Sequence, residues 1–398
     1  MLTGKTVVLG VTGSIAAYKI ANLARMLIKL NADVQVLMTK HAENFINPIT
    51  FETLTMRKCL IDTFDRNFEY SVEHVALAKE ADVVMLAPAS ANVIGKIANG
   101  IADDMLTTTV MACPCKKIIA PAMNHNMFHN PIVQDNIEKL RKYGYEIIEP
   151  ANGMLANGDI GDGRMPDEEL LLEYIIKEVA YEKDLAGKKV LITAGATMEA
   201  IDPVRYITNH SSGKMGFALA KNAMWRGAEV TLVVGKCEAE LPKLVNIINV
   251  KSAKDMFDAV TSLAPEMDII IKAAAVADYR PKNVSGEKIK KTDGAAVTEL
   301  ERTDDILKYL GENKKKGQFL CGFSMETENL IENSRAKLTK KNADMIVANS
   351  LRTEGAGFGG DTNVVTLITA DDETELPVMS KDEVAERIFD KIIHNMIK

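Results

Sequence analysis

The sequence predicts an α/β protein made of two tandem doubly wound parallel-sheet domains, and three observations carry that expectation. At 398 residues the chain is too long for one ordinary domain and long enough to bury two sizeable cores. Short β-branched runs alternate with stretches of helical period, the rhythm of a parallel sheet covered by helices. The rhythm also starts twice: Gly187-Lys-Lys-Val-Leu-Ile-Thr-Ala-Gly-Ala echoes Gly4-Lys-Thr-Val-Val-Leu-Gly-Val-Thr-Gly. Domains of 1–186 and 187–398 follow from that restart.

In the first half, a strand over Lys5 to Gly10, a helix over Ser14 to Leu30 and a strand over Asp33 to Thr39 make a βαβ unit. Apolar runs at Asp82 to Ala87, Lys117 to Ala120 and Tyr145 to Ile148 continue the sheet, with a helix over Pro131 to Lys142. The glycine-rich stretch from Asn152 to Gly163 is too long for one tight turn and reads as a mobile loop or flap. A polar helix from Pro166 to about Lys183 closes this half. In the second, strands are expected at Glu229 to Val234, Asp268 to Ile271, Asp344 to Val347 and Val364 to Thr369, and a last helix from Ser380. Arg280 to Glu301, with Pro281 and Lys282, Lys288, Lys290 and Lys291, breaks the rhythm as an inserted basic loop or hairpin.

Hydrophobic residues are 47% and charged residues 26%, which excludes disorder as the main state. No apolar run approaches the roughly 20 residues of a bilayer span and no leader pattern opens the chain, so the expectation is a cytoplasmic protein with no membrane partner. A net charge of −7 gives no footprint for nucleic acid, so any cationic chemistry must be local. Five cysteines, with Cys113 and Cys115 the only close pair, lack redox or zinc spacing and fit a reducing compartment.

Gly10-Val-Thr-Gly-Ser14 lies between a strand and a helix, where free N–H groups and the positive helix end can seat a phosphate; a plain turn capped by Ser14 is an equal reading. Thr39-Lys40 and Pro88-Ala-Ser-Ala-Asn92 end the following strands, so small polar groups gather where doubly wound sheets bind ligands. Together with Gly13-Ser-Ile-Ala-Ala-Tyr-Lys19, Gly100-Ile-Ala-Asp-Asp-Met-Leu106 and Pro121-Ala-Met-Asn124, these motifs resemble the homo-oligomeric flavin-containing cysteine decarboxylases, and more narrowly phosphopantothenoylcysteine decarboxylase. The resemblance implies a flavodoxin-like fold and FMN as cofactor, contacted by Ser14, Thr39, Ser90 and Asn92. It implies that FMN takes a hydride equivalent from the substrate's cysteinyl group, giving a thioaldehyde from which CO2 departs. His74 falls at the family's catalytic histidine and Asn124 at the amide that binds the substrate carboxylate. His125 and His129 flank Asn124 and read as structural, because no carboxylate completes a metal set in the sequence.

One departure concerns Asn157, in Leu155-Ala-Asn-Gly158, where reductive members carry a proton-donating cysteine. A carboxamide is no usable donor near neutral pH. Three readings stay open: an introduced substitution that traps an intermediate, a natural variant with another donor, or a half that stops at the oxidised ene-thiol.

Ile207-Thr-Asn-His-Ser211-Ser212-Gly213-Lys214-Met-Gly216 opens a helix with hydroxyls, glycines and a lysine, suited to a triphosphate although no Walker frame fits. With Ala273-Ala274-Ala275-Val-Ala-Asp278-Tyr-Arg-Pro281, Lys288-Ile-Lys-Lys291, Gly322-Phe-Ser-Met-Glu-Thr327 and Lys337-Leu-Thr-Lys-Lys341-Asn342, the second half resembles the CTP-using phosphopantothenoylcysteine synthetases, Rossmann-like ligases. That resemblance implies CTP at Ser211, Ser212, Gly213, Lys214, Ala273, Ala274, Ala275, Asp278, Lys288, Thr303, Asp304, Asp305, Ile306, Phe323, Lys337 and Lys341. It assigns Asn209 to conversion of an acyl-cytidylate, Asp278 to the Mg2+ that travels with CTP, and Phe323 to the cytosine edge. Lys337 and Lys341, four apart, suit a joint phosphate role.

The two halves in this order resemble the bacterial bifunctional coenzyme A biosynthesis family. The family implies ligation of 4′-phosphopantothenate to cysteine, then decarboxylation to 4′-phosphopantetheine. It also implies a homo-oligomer with a trimeric flavin half and a dimeric ligase half, compatible with a dodecamer. The rivals are an active ligase whose flavin half only oxidises, and a non-catalytic FMN-binding regulatory relative.

Overall fold

The computed structural model describes residues 1–63, 73–154, 158, 160–290, 297–326, 328–350 and 360–397. It divides into two compact units, Met1–Tyr181 and Glu182–Lys398.

The first unit runs β1 (Thr6–Val11), α1 (Ala17–Lys29), β2 (Asp33–Met38), α2 (Pro48–Thr55), α3 (Glu73–Glu80), β3 (Val83–Ala89), α4 (Ala91–Ala98), α5 (Met105–Ala112), β4 (Lys116–Pro121), α6 (His125–Phe128), α7 (Pro131–Lys142), β5 (Glu146–Ile147), β6 (Ala151–Met154), β7 (Ile160–Arg164) and α8 (Glu168–Val179). Five parallel strands lie in the order β2-β1-β3-β4-β5. This is the flavodoxin-like winding, with its switch point between β1 and β3. Strand β3 is buried along its whole length, as a central parallel strand must be. Helix α1 buries Ala17, Ile20, Leu23, Ala24 and Leu27, the one-face spacing that seats a helix on a sheet.

The second unit runs β8 (Lys189–Ala194), β9 (Met198–Ala200), β10 (Tyr206–Thr208), α9 (Lys214–Trp225), β11 (Glu229–Val234), β12 (Asn246–Asn249), α10 (Ala253–Leu263), β13 (Ile269–Lys272), β14 (Tyr279–Pro281), β15 (Leu300–Arg302), α11 (Ile306–Glu312), β16 (Phe319–Glu326), α12 (Leu330–Lys340), β17 (Met345–Ser350), β18 (Thr362–Asn363), β19 (Val365–Thr369), β20 (Glu373–Glu375), β21 (Met379–Ser380) and α13 (Lys381–Ile397). Its main sheet is ordered β12-β11-β8-β13-β16-β17-β19-β20. The six strands from β12 to β17 are parallel and follow the Rossmann order. The expected strand near Val364 is present as β19, but β19 and β20 are antiparallel. A turn closed by Thr369 N on Asp372 O joins those two, whereas a parallel partner needs a crossover helix.

The sequence echo has a physical counterpart. Asp82, just before β3, accepts from Thr6 N at 2.7 Å, and Asp268, just before β13, accepts from Lys189 N at 2.8 Å. In each unit an aspartate thereby fixes the start of the central strand pair.

Two expectations need correction. The glycine-rich stretch expected to be a mobile loop or flap is no unpaired loop, since it contains an antiparallel pair, β6 with β7, and Gly163 takes φ +127° where a side chain would be strained. The helix expected from Pro166 begins only at Glu168, because Asp167 takes the extended conformation of an N-cap. The basic insertion starts and ends as a hairpin, β14 against β15.

Candidate functional sites

In the first unit a cavity of about 900 Å³ opens at the carboxyl edge of the sheet, where loops after β1, β2 and β3 meet. Ser14, Thr39, Ser90 and Asn92 all line it, so the four residues expected to hold the cofactor are brought together. Thr12, fully buried, holds two of these loops in place: its Oγ1 donates to Pro88 O at 2.6 Å and accepts from Ser90 N at 2.9 Å. Ser90 caps α4 by accepting from Val93 N. Ser14 is not the cap of α1: that position is Ala16, which offers no side chain, so the first-turn N–H groups of α1 have no side-chain cap. Gly13 lets His41 approach, since a Cβ there would sit 2.9 Å from His41 Cβ. A polar cradle of this size at a switch point suits a flavin mononucleotide.

Asn124 lies on a second cavity, of about 490 Å³, which shares Ser14, Ala122 and Met123 with the first. Its Oδ1 accepts from Asn126 N at 2.9 Å as the cap of α6, which leaves the side-chain N–H groups as donors. Gly163 O accepts from Met123 N at 3.0 Å, so β7 forms a wall beside Asn124. His74, on α3, lines neither cavity. Asn157 lies outside the described residues. Lys96 and the Asp103–Asp104 pair of the Gly100–Leu106 motif, to which the sequence reading gave no role, also face the larger cavity, with Lys96 Nζ 2.7 Å from Asp103.

His125 and His129 do not stand alone as expected. Asp162 of β7 reaches them, with its Oδ2 3.2 Å from His129 Nε2, and one ligand atom from each of the three lies within 4.8 Å of the others. Hydrogen bonds from Asn152 and His129 hold the Asp162 carboxyl below its ordinary range. Sequence spacing showed only the histidine pair because Asp162 arrives through the hairpin.

The second unit carries two cavities, of about 670 and 530 Å³, which share Ala274, Val276, Asp278, Phe323 and Lys337. Asn209, Ser211, Ser212, Gly213, Lys214, Ala273 and Ala275 line the smaller, and Thr303, Asp304, Asp305, Ile306 and Lys341 the larger. Lys288 lines neither; it is exposed. The segment around it is nonetheless anchored, because the buried Asp202 accepts from Ile289 N and Arg205 Nη1, both at 3.2 Å. Lys291 and Thr327 lie outside the described residues.

Gly213, the N-cap of α9, takes the left-handed conformation at φ +82° and offers no side-chain cap, so the positive end of that helix faces the cavity. Asn209 Nδ2 donates to Val276 O at 3.1 Å, tying its loop to the loop that follows β13. The larger cavity is walled by six cationic side chains against three aspartates, in a chain whose net charge is −7. Burial pushes the Asp305 carboxyl up, but the bond from Lys341 and the Lys308 N–H outweigh it and hold the group below the ordinary range.

Three residues that the sequence reading missed belong to these walls. Lys272 ends β13 almost wholly buried, and burial drives its amine down to about 7 against the opposing pull of Asp305. Asn349 is buried on the smaller cavity, and its Oδ1 has no hydrogen-bond partner among the described residues. Lys381 lies there too. Lys272 could have been found, as a lysine closing an all-isoleucine strand at its carboxyl end. Asn349 could not, since its wall position depends on which strand pairs with which.

The fold and cavities define a two-unit α/β protein with a ligand site at the carboxyl edge of each sheet. Residues 1–180 match the flavoprotein family and residues 185–396 the family described as DNA/pantothenate metabolism flavoprotein C-terminal domain. The coenzyme A biosynthesis bifunctional protein CoaBC of Bacillus subtilis is 48% identical over 98% of this chain and 97% of its own length. Its Vibrio vulnificus counterpart is 44% identical over 98% of each. A crystal structure of the C-terminal domain of such a protein is 48% identical over 54% of this chain and 98% of its own, with TM-score 0.47. The chain belongs to the family of bifunctional coenzyme A biosynthesis proteins. Matches of nearly full length to bifunctional enzymes do not favour a non-catalytic relative.

Proposed function

We propose that the second unit joins 4′-phosphopantothenate to cysteine at the expense of CTP, and that the first unit decarboxylates the product to 4′-phosphopantetheine. The observation that carries this reading is the gathering of the four cofactor residues on one cavity and of all the nucleotide residues except Lys288 on two joined ones.

In the ligase half, Lys337 and Lys341 neutralise the triphosphate while the positive end of α9 beside Gly213 and Lys214 receives a second anionic group. Asp278, exposed on both cavities, would hold the Mg2+ carried in with CTP. Activation of the substrate carboxylate expels diphosphate and leaves an acyl-cytidylate. Asn209, its amide hydrogens directed at the Ala275 and Val276 carbonyls of the loop after β13, offers Oδ1 to the incoming cysteine amine.

In the flavin half, Ser14, Thr39, Ser90 and Asn92 hold FMN, which when bound supplies the oxidising chemistry on the cysteinyl carbon. Asn124 donates to the substrate carboxylate, with its acceptor oxygen already committed to Asn126 N. Among the described residues His74 lines neither of the two cavities of the first unit, and this supports an oligomer in which a second copy brings His74 to the FMN site. Asn157 cannot deliver the proton that a cysteine would, so that proton must reach the ene-thiolate from another group or from water. Among the described residues no helix is long and apolar enough to cross a membrane, and we infer a cytoplasmic setting for this chemistry.

The test is to feed the purified chain CTP, Mg2+, 4′-phosphopantothenate and cysteine. Sustained diphosphate release that stops when any one is withheld is expected; release independent of cysteine over many turnovers contradicts the ligase assignment.

A further inference from the structure

We propose that His125, His129 and Asp162 form a binding site for a borderline transition-metal cation, Zn2+ by preference, which ties strand β7 to helix α6. Nothing in the proposed reaction uses these side chains, and the inference does not rest on that reading.

The two histidines lie four residues apart, on and just after α6, with ring centroids 4.4 Å apart. Asp162 enters from the hairpin, and the three ligand atoms already lie within 4.8 Å of one another. A tetrahedral Zn2+ with bonds of about 2.0–2.1 Å needs its ligands roughly 3.3 Å apart. His129 and Asp162 stand at 3.2 Å, and the His125 ligand atom, within 4.8 Å of both, is the one that must close in.

The second shell is in place. Asn152 Nδ2 donates to Asp162 Oδ1 at 2.8 Å, which orients the carboxylate and leaves Oδ2 for the cation. The His129–Asp162 contact alone would be an ordinary surface pair, but it does not account for His125. Its Nδ1 is buried with no hydrogen-bond partner among the described residues, although a structural histidine normally engages one. That ring is admitted only because residue 161 is glycine: a Cβ there would lie 2.7 Å from Nδ1. Two imidazoles and one carboxylate select a zinc-like ion over Mg2+ or Ca2+, which take all-oxygen shells. His129 is half exposed, leaving a fourth position to water. Because β7 continues to Gly163, which bonds Met123 N, a bound cation fixes the hairpin against the turn that carries Asn124.

The full chain, stripped with chelator, is titrated with Zn2+ in competition with a chromophoric zinc indicator, beside His129→Ala and Asp162→Asn. Both substituted positions are partly exposed, so folding is retained. The expected result is one saturable site per chain, weakened at least ten-fold in each variant, with slower amide exchange over Ala151–Met154 and Ile160–Arg164 when Zn2+ is bound. Failure of the unsubstituted chain to compete, affinity within ten-fold in either variant, or unchanged exchange overturns the proposal. Zinc held elsewhere, as by Cys113 and Cys115, would leave the variants unaffected and so counts against it.

Discussion

Replacing Lys272 by Met tests whether a buried amine is held at the floor of the nucleotide cavity. Lys272 is 7% exposed, and its Nζ lies 3.8 Å from Met256 Sδ, so methionine fills nearly the same space. The amine sits at about 7 in the folded chain and returns to its ordinary 10.5 on unfolding. Between those values the unfolded state binds more protons, so stability rises with pH across this window. Below about pH 7 both states are protonated and the whole penalty stands, on the order of 5 kcal/mol at about 1.4 kcal/mol per pKa unit. From pH 7 to pH 9 the native chain should therefore gain roughly 2 kcal/mol from this group alone. Trp225, the only tryptophan and buried in α9, reports unfolding of the second unit. Urea unfolding at pH 7, 8 and 9 should show Lys272→Met more stable than the unsubstituted chain at pH 7, with the gap closing as pH rises. A gap that stays flat or widens refutes the reasoning.

Three further outcomes follow from particular contacts. Thr12→Val strands Pro88 O and Ser90 N, so it should cost about 1–3 kcal/mol and speed flavin loss in dialysis; unchanged retention would show that this bridge does not shape the cradle. Gly163→Ala places a Cβ 2.2 Å from Met123 O at a left-handed φ, so decarboxylation should fall at least ten-fold. CTP-dependent ligation by the same variant should not change. Asn157→Cys should raise formation of 4′-phosphopantetheine, followed by product mass and CO2 release; equal rates before and after would end the proton-donor argument.

The alternation of β-branched runs with helical stretches made both sheets readable, because buried parallel strands such as Val83–Ala89 leave no choice of residue type. Strand order was not readable in the same way. The antiparallel pairing of β19 with β17 has no signature in its residues, because short apolar runs carry no direction. Among site residues, Ser90 and Ser211 declared themselves by standing between a strand and a helix. Asp162 and Asn349 carry no local pattern, since each reaches its site by pairing with a distant segment. Ser14 misled as a cap because a Gly-Ser turn followed by Ile-Ala-Ala permits a helix start two residues later.

The account stands on a flavin cradle in the first unit and a nucleotide cradle in the second. Flavin content of the chain as purified, released by denaturation and quantified by absorbance and mass, tests the first most directly. One FMN per chain, lowered when Ser90 and Asn92 are both replaced by bulky apolar residues, is the predicted result. A colourless chain that takes up no FMN on reconstitution contradicts it.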